Sequence, residues 1–187
     1  MKKVLVSIFS LAMVWSLSQL AVGQAAPGSL DDQLIAAAQK GDASAVRYLL
    51  DKGANIEASN SYGDTTLMIA IFWYRSDVIT LLLAKGANIE AKNNTGYTAL
   101  IMAARKGEAE VMKLLLEKGA NIEARDNNGD TALIEAASDG YADVVKLLLD
   151  KGANINAKDN GGITALQAAN LSGEPDIAKL LKEHGAH

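Results

Sequence analysis

The chain has 187 residues, a formal net charge of −4 at pH 7, no cysteine, and only two histidines, His184 and His187. That length admits one compact domain or one short repeat array. The missing cysteines exclude a disulfide framework, a lipid-modified lipoprotein and zinc sites of the Cys/His type, and the placement of the histidines leaves no base for a nucleophilic triad.

The N-terminus differs from everything after it. Lys2 and Lys3 precede an uncharged run that starts at Val4, and small residues gather at "AVGQAAP". This is the grammar of a secretory signal peptide over residues 1–23, with Ala21 and Gly23 at the −3 and −1 positions and cleavage after Gly23. A rival reading is an uncleaved anchor facing the periplasm, because the stretch is long enough to span a bilayer. Ser16, Ser18 and Gln19 dilute its C-terminal half and favour cleavage. Both readings carry the rest of the chain across the membrane, to the periplasm or the medium, with no membrane contact after cleavage. Cleavage would remove two lysines and no acid, taking the charge from −4 to −6. An acidic chain without a basic run argues against nucleic acid as a partner.

After a linker at 24–29, one pattern recurs. "KGANIEA" stands at 52, 85 and 118 and "KGANINA" at 151, always 33 residues apart. "GDTTLMIA", "GYTALIMAA", "GDTALIEAA" and "GITALQAA" keep step with it. In each unit Thr65, Thr98, Thr131 or Thr164 is placed to cap a helix, accepting N–H groups left over at its start. Apolar residues follow at helical spacing, and Gly107, Gly140 and Gly173 end that helix. A second helix opens on Glu110, Asp143 or Asp176, whose charge suits the N-terminal dipole. Gly86, Gly119 and Gly152 stop it, and "NNTGY", "DNNGD" and "DNGGI" supply tight turns. No unit can bury its apolar face alone, so the units must stack into an all-α solenoid.

This pattern resembles the ankyrin-repeat family over 30–187. The divisions are an N-terminal capping unit (30–59), repeats at 60–92, 93–125 and 126–158, and a C-terminal capping repeat (159–187). The family's T-P-L-H tetrapeptide appears here as TTLM, TALI, TALI and TALQ, so its proline and its bonding histidine are absent. Weaker hydrogen bonding between repeats is the expectation. Glu57, Glu90 and Glu123, in register with Ser59, Lys92 and Arg125, read as solvated stripes of the scaffold.

Catalytic chemistry finds little support. "DNNGD" at 126–130 puts Gly129 fourth, where a calcium loop of the EF-hand type needs its glycine sixth. No phosphate-binding glycine loop occurs. The expectation is a protein with no catalytic residues, cofactor or metal, monomeric when free, that binds another protein. A carboxylate-dependent hydrolase is the outlying alternative.

The resemblance implies a concave surface built from finger tips and first helices. One repeat departs from the others there: "IFWYRSD" (71–77) stands where its sisters read "ARKGEAE" and "ASDGYAD". Tyr62, Phe72, Trp73, Tyr97, Arg105 and Lys106 are the candidate partner-binding residues, an aromatic anchor beside a basic step, followed by an acidic step at Glu135 and Asp139. Aromatic and Arg residues dominate interface hot spots, each worth about 2 kcal/mol or more. The competing reading has Phe72 and Trp73 filling space against the capping unit, where Gln39 and Lys40 are their counterparts. Tyr74 in the glycine position and Ile71 in an alanine position suggest a locally reshaped repeat, and Tyr74 is assigned to structure. The functional expectation is an inhibitor or immunity-type protein of an envelope enzyme; the alternatives are an envelope assembly or scaffold factor and a secreted effector that binds a host protein.

Overall fold

In a computed structural model, described for residues 28–187, the repeat becomes a row of helix pairs. The expected signal peptide and most of the linker lie outside the described residues. The pairs are α1 (Leu30–Lys40) with α2 (Ala43–Asp51), α3 (Thr66–Phe72) with α4 (Ser76–Ala84), and α5 (Ala99–Arg105) with α6 (Ala109–Glu117). They continue as α7 (Ala132–Ser138) with α8 (Ala142–Asp150) and α9 (Ala165–Ser172) with α10 (Pro175–Glu183). Among the described residues there is no extended strand, only isolated antiparallel bridges at finger bases such as Arg125 with Thr131. None of these helices is long and apolar enough to cross a membrane.

The helix starts follow from the threonines. Thr65, Thr98, Thr131 and Thr164 each accept the N–H three residues on, and all four are buried. Burial raises the stake of each cap, because an unmade bond there would leave a donor away from water. Small alanines on the first helices (Ala70, Ala103, Ala136, Ala169) are fully buried and let those helices stack. Val78, Val111, Val144 and Ile177, with Leu82, Leu115, Leu148 and Leu181, fill the layer beneath the second helices. Burying such an aliphatic side chain contributes about 1.5–3 kcal/mol.

Two expectations are corrected here. The glutamates at 57, 90 and 123 are staples, not free stripes: each carboxylate accepts the N–H of an asparagine in the next repeat, Asn88, Asn121 and Asn154, at 2.7–2.8 Å. Within the capping unit, Asp31 accepts the Asn55 N–H in the same way. The finger tips add a second ladder. The side-chain amides of Asn94, Asn127 and Asn160 donate to Ser61, Asn94 and Asn127 carbonyls one repeat back, at 2.9–3.1 Å. Cross-repeat hydrogen bonding is thus carried by Glu and Asn, without the family's histidine.

Nor is the aromatic repeat reshaped. Its helices begin and end in register with the next two repeats, offset by 33 residues. Ile71 is fully buried. The departure is absorbed at one residue: Tyr74 takes φ 58°, where the other repeats have glycines such as Gly107 at φ 70°. A left-handed conformation costs a residue with a Cβ roughly 1–2 kcal/mol.

Candidate functional site

The register of the repeat fixes where the departing side chains go. Phe72 is the last residue of a first helix and Trp73 its C-cap, directly after the buried run 66–71, and both side chains stand beside the fingers rather than in the stack. Phe72 and Trp73 are 44% and 43% exposed and meet edge to face, with centroids 5.6 Å apart and planes at 73°. Tyr62, 72% exposed, comes from the finger of the same repeat. Tyr62, Phe72 and Trp73 line one open cavity of about 280 Å³ with Ile69, Asn60 and Asp64. The adjoining cavity, about 330 Å³, is walled by Tyr62, Phe72, Tyr97, Met102, Arg105 and Lys106. All six candidate residues therefore border one continuous stretch of groove. Trp73 also borders a shallower hollow with Gln39, Lys40 and Arg75 beside the capping unit.

The basic step is not free. Arg105 donates to the Tyr97 hydroxyl at 2.7 Å and faces the Glu135 carboxylate at 3.4 Å and that of Asp139 at 3.9 Å. Lys106 places its ammonium 4.2 Å from the Phe72 ring centroid and 5.5 Å from that of Tyr74. Such a contact contributes about 0.5–1 kcal/mol when exposed. Tyr74, assigned to structure on sequence, is 55% exposed and donates weakly, at 3.4 Å, to the Lys106 carbonyl. It acts as the far wall of the Lys106 seat.

Beyond the arginine the groove turns acidic. Burial, then the charge of Glu135, pushes the Tyr97 phenol up to about 12, against the pull of Arg105. Burial raises the Glu135 carboxyl too; Arg105 opposes this and Asp130 adds to it. Asp130 is raised by burial and by the charges of Asp126 and Asp159. Carboxylate oxygens of Asp126, Asp130 and Glu135 come within 4.8 Å of one another. Asp126 is the buried member, and one of its oxygens already accepts the Asn128 and Asp130 N–H groups at 2.8 Å. That turn accounts for the acid at 126 without an ion. Past it lies a further cavity, about 180 Å³, lined by Asp130, Glu135, Asp159, Ile163, Leu171 and Ser172.

Sequence reasoning missed the pairing of Arg105 with Glu135. The signal was present, since side chains 33 residues apart stand next to each other in the stack, which puts Asp139 beside Lys106 and within reach of Arg105.

A family model described as "Ankyrin repeats (3 copies)" matches residues 18–93, 77–159 and 125–187, which together span most of the chain. The chain belongs to the ankyrin-repeat family. Its helix pairs, fingers and register are those of an ankyrin solenoid, and ankyrin repeats are protein–protein interaction modules. No curated protein matches this ankyrin chain.

Proposed function

We propose that this ankyrin protein is exported and holds a protein partner in its concave groove through Tyr62, Phe72, Trp73, Tyr97, Arg105 and Lys106. The observation that carries the reading is the exposed Phe72–Trp73 pair beside Tyr62, where the next two repeats have the polar pairs Arg105–Lys106 and Ser138–Asp139. Aromatic surface at the mouth of a cavity loses unfavourable water contact when a partner covers it. The signal-peptide pattern at the N-terminus supports an encounter outside the cytoplasm, in the medium or, on our reading, in the bacterial periplasm. There a rigid groove can block an envelope enzyme without chemistry of its own, which is the role of an inhibitor or immunity-type protein.

The test is paired capture from periplasmic extract with wild-type protein and Phe72→Ala/Trp73→Ala, read by mass spectrometry. A protein retained by the wild type and lost by the variant is the expected result, and that protein, if an enzyme, should lose activity on titration. Equal capture by both returns the aromatics to packing. Retention of a multi-component complex whose enzymes stay active favours an assembly role over inhibition.

A further inference from the structure

Partner chemistry can be read from how the groove spends its charges. From the first finger to Ser172, the charged side chains lining it are Asp64, Asp130, Glu135 and Asp159 against Arg105 and Lys106. Both cations are already engaged. Arg105 serves Tyr97, Glu135 and Asp139, and Lys106 lies against the Phe72 and Tyr74 rings. Among the described residues, no lysine or arginine pairs with Asp64, Asp130 or Asp159. A segment laid along this groove meets unbalanced negative charge, not the basic patch that the sequence suggests.

We propose that the occupant is a basic segment of the partner protein, with an apolar side chain seated on Phe72 and Trp73 and lysine or arginine set against Asp130, Glu135 and Asp159. The inference rests on the groove being the partner site. Two further observations and one comparison support it. The carboxyls of Asp130 and Glu135 sit half-buried and close together, where a cation supplied from outside relieves their mutual repulsion. Leu171, 78% exposed at the far end, offers the alkyl stem of such a cation an apolar surface. An acidic partner would instead have to displace Lys106 from its rings and Arg105 from Glu135 and Asp139, exchanging existing contacts for new ones.

The probe is a random peptide library displayed on phage, selected on purified wild-type protein. Individual peptides are then measured against Asp130→Asn/Glu135→Gln and Phe72→Ser/Trp73→Ser. These side chains lie outside the fully buried layers, and circular dichroism checks that both variants fold. Enriched sequences should combine lysine or arginine with an aromatic or aliphatic residue. Their affinity should fall roughly tenfold with the acid variant and weaken further as salt rises from about 50 to 500 mM. Enrichment of acidic or uncharged sequences, failure to enrich basic ones, or indifference to the acid variant overturns the inference. Where such peptides still need Phe72 and Trp73, the groove reading survives and only the charge assignment falls. Binding untouched by either variant removes both.

Discussion

Tyr74 carries a cost that its neighbours avoid. At φ 58° it holds a side chain in a conformation that the other repeats give to glycine, and its ring helps seat Lys106. Tyr74→Ala keeps the backbone cost and loses the ring, whereas Tyr74→Gly loses the ring and relieves the strain. The glycine variant is therefore expected to be the more stable of the two by about 1 kcal/mol, seen as about 2–4 °C in melting temperature. Glu135 makes a pH-dependent statement. Burial raises its folded-state pKa, so its ionisation opposes folding. That penalty is full at neutral pH and is relieved as pH falls through the folded pKa towards the unfolded one. Wild type should gain stability relative to Glu135→Gln between neutral pH and about pH 4, measured by urea unfolding at each pH. A relative loss on acidification would mean that the Arg105 pair outweighs burial.

At the scale of the element, the sequence made the helices legible because threonine caps, apolar spacing and glycine stops all point the same way. α3 to α8 keep a 33-residue offset, and even the aromatic repeat obeys it. What was not legible was lateral bonding. A glutamate in an extended finger looks solvated until its neighbour is placed, because the N–H it accepts belongs to a residue 31 positions on. Glu90→Ala should cost about 1 kcal/mol in chemical unfolding, while Lys113→Ala on the exposed side of α6 should change stability by less than about 0.5 kcal/mol. Equal effects would make the staple incidental. The site divides in the same way. Phe72, Trp73 and Tyr62 stood out by breaking the pattern, but the commitment of Arg105 and Lys106 depends on contacts between repeats.

The whole molecule is a line of nearest-neighbour contacts, with first helices stacked on first helices and most second helices on second helices. Stability in such an array is close to a sum of repeat and interface terms. Leu115 and Leu181 occupy the same place in different repeats, and both are fully buried. Either substitution to alanine should cost about 2–5 kcal/mol locally. Leu115→Ala should lower hydrogen-exchange protection on both sides of α6, whereas Leu181→Ala should release α9 and α10 and leave α3 to α6 protected. Loss of protection throughout the chain in both variants would mean a single cooperative unit. The groove extends from the first finger to Ser172, so a partner bridging several repeats would also tie them together.

The most direct test of the groove as the partner site is photo-crosslinking in the cells that make the protein, with a benzophenone amino acid at Trp73 or at Lys146. Lys146 is exposed on α8, away from the groove. The account expects a defined protein adduct from position 73 and none from 146. An adduct from 146 alone, or none from 73, would contradict it and leave Phe72 and Trp73 as packing residues.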